Sequence, residues 1–356
     1  VQSVSISRGR QRFQDNFPQT SCVIELIPAN SYALTLAVGQ FIDVRNANTD
    51  TSPCYFSGLI TDISRKFAIP YNSGTGAAPE DRITITATGP TGQLGAASLT
   101  SYSVANDKAT QEIIDAADKN TVEVAALSDS PLKTSARNFT GGLLDLINTL
   151  LRTIQFFIDD RDTQRDDPFG TFNAAIYAYS RLSFTFSDAG TVGAFKFTNL
   201  DYLSSVQSTF TEVEVNPAGL VTQTVASGLP PYNTLVYDTF NATTTDAADL
   251  AQYILATQSL AEITPFSITT DTNVAPTCIE ISELNVASTS NADQSLGALT
   301  TVIFRGTTVT AQIQGINTSF YPDLARVQLY LSPSLGAPFT LDSAIVGVLD
   351  QNKLGF

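Results

Sequence analysis

The sequence predicts a mainly β protein with a few helices, an α+β chain of two antiparallel β-barrels around an intervening mixed α/β region. Three observations predict it. Short alternating apolar runs, bounded by Gly, Pro, Asn and Asp, recur in both halves of the chain. One central segment switches instead to three- and four-residue apolar spacing. A meander at 41–90 is echoed at 301–333. The expected divisions are an N-terminal barrel at 1–104, a mixed insert at 105–204 with its helix near 141–158, and a second barrel at 205–356 with a short helix and a C-terminal tail.

In order, Val4–Ile6 is a short strand running into the basic cluster Ser7-Arg8-Gly9-Arg10. Ser21–Ile27 alternates with both faces partly apolar, and Phe41–Arg45 puts Ile42 and Val44 on one face. Tyr55–Ser64 is a strand whose Gly58 marks a bend or a close backbone approach. Pro70–Pro79 is a small-residue hairpin loop. Asp81–Thr88 alternates Ile83, Ile85 and Ala87 onto one face, and Gly89–Gly95 closes the unit.

Ala109–Asp118 is a short helix with Ile113 and Ile114 inward, and Ser128–Ser135 is a loop. Gly141–Asp160 carries the clearest helical pattern, with Leu143, Leu146, Ile147, Leu150, Leu151, Ile154, Phe157 and Ile158 in register. Asp145, Asn148 and Arg152 interrupt it, so it is a packing helix and not a membrane span. Asp159–Asp167 then places five carboxylates and two arginines in nine residues, the composition of a solvated surface loop. A calcium loop counted from Asp160 would need Gly and Glu where Arg165 and Thr171 stand.

Strands follow at Arg181–Ser187, Ala194–Thr198, Phe210–Val215, Thr222–Ala226 and Leu235–Tyr237. Asp246–Ala256 is a helix, Phe266–Thr270 and Cys278–Ser282 are strands, and Ser288–Leu299 is a polar loop. Thr301–Arg305, Thr308–Asn317 and Arg326–Ser332 form the closing meander, with Pro322-Asp323 as its second turn. Tyr55–Ile63 resembles Val309–Thr318. The strands after them, Arg82–Thr88 and Arg326–Leu331, both begin with Arg and end near a Pro. Two copies of one barrel in a homotrimer would set six similar barrels about one axis, able to join a threefold object to a sixfold one.

Composition narrows the function. Charged residues are 15% of the chain, below the usual quarter, so Thr, Ser, Asn and Gln make up much of the polar surface. Neutral polar side chains cost less to desolvate than charges, which suits contacts between subunits. A net charge of −15 opposes a phosphate-gripping surface but not one that nucleic acid passes without sticking. The same acidity also serves solubility.

The chain has no His, which removes Ser-His-Asp and Cys-His catalysis and His-ligated zinc. Cys22, Cys54 and Cys278 are far apart and form no CxxC pair, so they read as small buried apolar residues. Val1–Phe13 is polar and carries three arginines, unlike a signal peptide. Asn138, Asn241 and Asn317 begin N-x-Ser/Thr triplets that a Thr-rich chain produces by chance.

Walker A, GxGxxG, GxSxG and HExxH motifs are absent. Glu25, Asp43, Asp62, Glu212, Glu214, Glu262 and Glu280 are the carboxylates available for glycoside hydrolysis, and Glu212 and Glu214 share a strand face. They read as surface strand residues. No catalytic, cofactor-binding or metal-binding residue is assigned, and no cofactor is expected.

Ile6-Ser7-Arg8-Gly9-Arg10, Phe17, Ser21–Ile27, Val38-Gly39-Gln40-Phe41 and Phe56-Ser57-Gly58-Leu59-Ile60 follow one another near the N-terminus. Ala248–Leu255, Gly315-Ile316 through Leu331-Ser332-Pro333, Phe339–Asp342 and Ala344–Asp350 follow later. In that order and spacing they resemble the minor tail proteins of long, non-contractile-tailed bacteriophages. The chain is most similar to the tail-tip hub, itself similar to the baseplate hub of contractile-tailed phages. Gln19-Thr20-Ser21 replaces the family's Gly before the second strand, and Ala325 stands where a Trp is frequent.

The resemblance implies two tail-tube-like barrels and a homotrimer in the virion tail tip, made in the host cytoplasm. The trimer would sit between a sixfold distal tail ring and a threefold central tip, contacting tip or fibre proteins and the tape measure protein. Its lumen would conduct DNA without binding it specifically, and no segment would span a membrane. The alternatives are a carbohydrate-binding receptor module, which the absence of Trp disfavours, and a cell-wall hydrolase.

Overall fold

The computed structural model describes residues 1–27, 35–46, 52–66, 82–119, 122–161, 172–180, 182–202, 210–227, 233–258, 264–284 and 294–334. In chain order the first elements are β1 (Ser3–Gly9), β2 (Ser21–Leu26), β3 (Phe41–Arg45), β4 (Cys54–Lys66), β5 (Arg82–Thr88), α1 (Pro90–Ala96) and β6 (Ser98–Val104). Next come α2 (Ala109–Asp118), β7 (Val122–Ala126), β8 (Arg137–Gly142), α3 (Leu143–Ile154), β9 (Phe157–Asp160), β10 (Phe172–Tyr177), β11 (Ser183–Ser187) and β12 (Asn199–Asp201). Then follow β13 (Glu212–Pro217), β14 (Gln223–Ala226), β15 (Thr234–Thr239), α4 (Thr244–Gln258), β16 (Ser267–Asp271), a 3-10 turn at Cys278–Ser282, β17 (Leu299–Phe304), β18 (Thr307–Tyr321) and β19 (Leu324–Pro333). The fold class is α+β and mostly strand.

An eleven-stranded sheet organises the molecule, and β1 is its middle strand. One edge of β1 pairs antiparallel with β2, Ile6 opposite Cys22. Its other edge pairs antiparallel with β18, from Val4 opposite Phe320 to Gly9 opposite Gly315. Beyond β2 lie β5, β4 and β3; beyond β18 lie β19, β16 and β12. β17 pairs with the first half of β18, and β11 adds parallel to β17. The strands expected of two barrels therefore belong to one sheet, open among the described residues and joined through the first strand of the chain.

The closing meander follows local rules. Phe304 faces Thr307 across a two-residue turn, Arg305-Gly306, and both turn residues have positive φ (49° and 82°). Such a turn matches the right-handed twist of the strands. Arg305, expected to end a strand, is therefore a turn residue. Tyr321 faces Leu324 across Pro322-Asp323, as expected. The echoed strands share further features: β4 and β18 each carry a register shift, at Ile60/Asp62 and Ile313/Gly315. Each also holds a glycine against a backbone. A side chain at Gly58 would strike the Thr88 carbonyl, and one at Gly315 would strike the carbonyl of Arg10.

Apolar alternation sorts the interior into three clusters. Val4, Ile6, Cys22, Ile24, Phe56, Ile60 and Ile85 fill the first, on the N-terminal part of the large sheet. The second gathers α2, α3, the small sheet β7-β10-β9 and the inward residues of β17 to β19, among them Ile313, Ile316, Val327 and Leu329. The third packs α4 on the sheet β14-β13-β15 through Val213, Val215, Tyr237, Leu250 and Ile254.

Several expectations change. The central helix ends at Ile154 because Gln155 adopts a left-handed conformation (φ 57°), and Phe157–Asp160 becomes a strand paired with β10. Aromatic and β-branched residues suit that strand, and it keeps the same apolar face buried. Cys278–Ser282 is a 3-10 turn and not a strand, with Cys278 and Ile281 buried. Ala194–Thr198 forms only a single bridge, Phe195 with Phe186. Gly89–Gly95 contains α1, started by Pro90. Ala109–Asp118 is helical as expected, with Ile113 buried and Ile114 half-buried. The loop at Pro70–Pro79 and the first half of Ser288–Leu299 lie outside the described residues.

The two glycines of the meander predict a graded response. Gly315→Ala forces β1 and β18 apart and should cost about 3 kcal/mol. Gly306→Ala meets open space and should cost only about 1 kcal/mol, from its positive φ. Urea midpoints of the two variants against wild type check the order; equal losses would contradict the close approach.

Candidate functional site

The basic cluster at the end of β1 is not on the surface. Alternation along β1 turns Val4, Ile6 and Arg8 to the same side, so Arg8 is carried inward and is only 3% exposed. It meets Asp159 of β9, 2% exposed, with Nη1 at 3.4 Å from both carboxylate oxygens. Its Nη2 donates to the carbonyl of Ser282, 2.8 Å away, at the end of the 3-10 turn. One guanidinium thus ties the middle strand to two segments distant in sequence. The Ser282 and Thr318 hydroxyls meet beside it at 2.6 Å, fastening the turn to β18.

Arg10 works differently. Its Nε donates to Gln314 Oε1 at 2.8 Å, and Gln314 Nε2 donates to Ser332 Oγ at 2.7 Å. Its guanidinium lies 4.5 Å from the ring centre of Phe17, 5.1 Å from Phe13 and 5.7 Å from Phe157. Burial lowers its pKa to about 10, and the aromatic faces give the cation partial replacement for water. Phe17 is held in turn by Asn148 of α3. The Asn148 side chain accepts from the Phe17 N–H (2.9 Å) and donates to the Phe17 carbonyl (3.1 Å), as a neighbouring strand would.

Asp160, read from sequence as part of a surface loop with Asp159, is 1% exposed. Its Oδ1 accepts from the Thr91 N–H at 3.0 Å, and its Oδ2 has no hydrogen-bond partner among the described residues. Oδ2 lies where any side chain at Gly89 would stand, so Gly89 is needed for close approach. Burial, reinforced by Asp159 alongside, pushes the Asp160 pKa up to about 7; burial also raises Asp159, against the pull of Arg8. Two carboxylates share one buried guanidinium, so one of them holds a proton most cheaply. Residues 162–167 of the acidic segment lie outside the described residues. The signal sequence reading missed is the Phe156–Ile158 run, which continues the buried pattern into the two aspartates.

The carboxylates considered for hydrolysis do not assemble. Glu25 is exposed on β2 and accepts from Ser3 Oγ. Asp43 pairs with Arg45 on β3 and accepts from Ser57 Oγ at 2.8 Å. Asp62 and Glu280 are exposed on β4 and the 3-10 turn, and Glu262 lies outside the described residues. Glu212 and Glu214 do share a face of β13, where Glu212 accepts from Thr234 Oγ1 at 3.0 Å. They stand on the outward face of their sheet, away from α4. Glu112, absent from that set, is buried on α2, where its carboxylate accepts from the Ala105 N–H and Tyr102 OH, as a structural cap. Among the described residues no group of three or more Cys, Asp or Glu could hold a metal, and no helix is long and apolar enough to cross a membrane. Cys22, Cys54 and Cys278 are buried, as their apolar settings suggest.

A groove of about 480 Å³ opens on the first apolar cluster. Val4, Ile24, Ile85, Phe320 and Tyr55 form its depth, and Ile42 and Val44 of β3 its outer wall. Its lining is chiefly aliphatic and aromatic, which suits apolar binding and no reaction chemistry.

No family model and no curated protein sequence matches the chain. Solved structures do. The 43 kDa tail protein of prophage MuSo2 from Shewanella oneidensis is similar over 93% of this chain and 94% of that one, at 15% identity and TM-score 0.59. A tail protein from Neisseria meningitidis MC58 is similar over 94% and 92%, at 11% identity and TM-score 0.61. A component of the Escherichia coli type VI secretion system, itself structurally similar to bacteriophage tail proteins, is similar over 94% and 73%, at 9% identity and TM-score 0.50. The fold is thus one that phage tail proteins use. These likenesses hold along nearly the whole chain and agree with the family resemblance of its sequence words.

The buried junction predicts opposite outcomes for its members. Arg8→Met strands two buried carboxylates and should cost about 3–5 kcal/mol, read from urea unfolding. Asp160→Asn should not. Asp160 binds its proton more tightly folded than unfolded, so its contribution is fully present below the ordinary aspartate range near pH 4 and is lost as pH rises through about 7. The advantage of Asp160→Asn over wild type should therefore be larger at pH 8 than at pH 5; an advantage independent of pH would remove Asp160 from that role.

Proposed function

We propose that this chain is a structural, non-enzymatic protein of a phage-type tail, acting as the tail-tip hub. The observation that carries the reading is the match to the MuSo2 tail protein over nearly the full length of both chains. In this reading the chain forms a homotrimer with two tail-tube-like units, divided near 1–104 and 205–356 around the mixed insert. Six similar units about one axis join a sixfold distal ring to a threefold central tip, alongside the tip or fibre proteins and the tape measure protein. The lumen conducts DNA, and the net charge of −15 keeps phosphate from sticking.

Supporting features are physical. In a chain with 15% charged residues, neutral polar surface is inexpensive to desolvate at ring contacts. The candidate carboxylates are dispersed, and the large groove is apolar. The likeness to a type VI secretion component supports a role in a contact-delivery assembly.

Native mass spectrometry of the full chain should show a species of three times 38.0 kDa. A stable monomer or hexamer across micromolar concentrations would sink the trimeric hub. Incubation with purified peptidoglycan should release no soluble fragments, whereas release would overturn the non-enzymatic reading.

A further inference from the structure

Arg10 is a buried cation, 8% exposed, that makes no ion pair among the described residues. Its backbone N–H is committed to the Gln314 carbonyl at 2.9 Å. Of its side-chain donors, Nε goes to Gln314 Oε1, and Nη1 reaches the Asp15 carbonyl only at 3.4 Å. Nη2 donates to nothing among the described residues. A guanidinium keeps its charge at any ordinary pH, and a buried charge is costly unless an opposite one meets it. The three aromatic rings around Arg10 offset part of that cost but carry no net charge.

A second guanidinium enlarges the imbalance. Arg152 of α3 donates from Nη2 to the Gln14 carbonyl at 3.3 Å and lies 5.2 Å from the ring centre of Tyr237. Burial holds the Arg10 pKa down, and the nearby Arg152 charge adds to it. Asp15 pulls the other way, yet its Oδ2 takes the Arg12 N–H at 3.0 Å and it forms no ion pair with either arginine. In a chain of net charge −15, two arginines without a contacting carboxylate are a local excess of positive charge.

Arg10 borders a cavity of about 40 Å³, lined also by Phe13, Gln155, Phe157, Tyr253 and Gln312. The guanidinium carbon lies 5.1 Å from the Phe13 ring and 5.7 Å from the Phe157 ring, and the Arg10 main chain is paired with β18, so the charged end borders the space. Roughly 10–15 Å³ of such space takes one water, so the cavity admits a small ion with a water or two and excludes a sugar or a nucleotide. Gln155 donates one side-chain N–H to the Arg152 carbonyl and Gln312 one to the Gly297 carbonyl; each amide has a second to offer. Walls of N–H donors and aromatic rings around an uncompensated cation suit a small anion.

We propose that the cavity bordered by Arg10, Gln155 and Gln312 binds one chloride-sized inorganic anion. The ion neutralises the paired arginine charge where β1, α3, α4 and β18 meet, and so fastens the end of β1 to the helices. This inference does not rest on the tail role.

The test is thermal melting of the full chain at fixed ionic strength, in sodium chloride and in sodium gluconate, whose anion is too large for the cavity. Chloride at about 0.1 M should raise Tm by about 2 °C over gluconate, and the gain should saturate with concentration. Arg10→Met should melt at the same temperature in both salts. Ala178→Leu, which narrows the cavity from its wall and leaves both arginines in place, should also lose the gain, and it decides the matter if Arg10→Met does not fold. Crystals of the wild-type chain grown in sodium bromide should show an anomalous peak within about 3.5 Å of an Arg10 nitrogen. Equal Tm in the two salts, a full chloride gain in Ala178→Leu, or bromide peaks confined to the outer surface would overturn the proposal.

Discussion

The buried ion pair between Arg8 and Asp159 is the contact on which the rest of the structure depends. β1 can be the middle strand of the large sheet only if its end is neutralised inside the protein. Arg8 does this with a carboxylate from β9 and a carbonyl from the 3-10 turn. Two positions further, Arg10 reaches β18 and stacks among three aromatic rings. The halves of the sheet, the helical insert and the turn before β17 thus meet at one pair of arginines. Such a junction adds less net stability than a well-packed apolar core would, because desolvating the charges offsets much of their attraction. What it supplies is register. In this register β1 brings Arg8 to Asp159 and Ser282, and Arg10 to Gln314.

The fold is shared with solved tail-protein structures at identities of 11–15%. Alternation on β1, β2, β5, β18 and β19 requires an apolar side chain of suitable size, and many residues meet that condition. The specific demands are fewer: glycines where backbones touch, the left-handed turn at Arg305-Gly306, and the arginine junction.

Much of this was legible along the chain. The helical period of 143–154, the helix Ala109–Asp118 and the three-strand closing meander depend on residues within a turn or two of one another, so composition and spacing reveal them. Gly58 announced its close approach to Thr88 because a glycine inside a strand marks one. The acidic run was misread because Asp159 and Asp160 look like surface residues until a partner is known, and Arg8 lies 151 positions before Asp159. Cys278–Ser282 resembled a strand since Ile279 and Ile281 alternate, yet its partners hold it as a tight turn against β18 and β19.

By itself the sequence determined the α+β class, the closing meander with its Pro322-Asp323 turn, the packing helix and the lack of a histidine-based active site. Each follows from chemistry a residue carries into any environment or shares with near neighbours. Only the tertiary structure decided that β1 lies between β2 and β18, that two arginines and two aspartates are buried together, and that a groove remains beside Tyr55. The farthest of these pairings join Arg8 to Asp159 and Val4 to Phe320. Their energies come from burial and complementary partners, which no local pattern encodes.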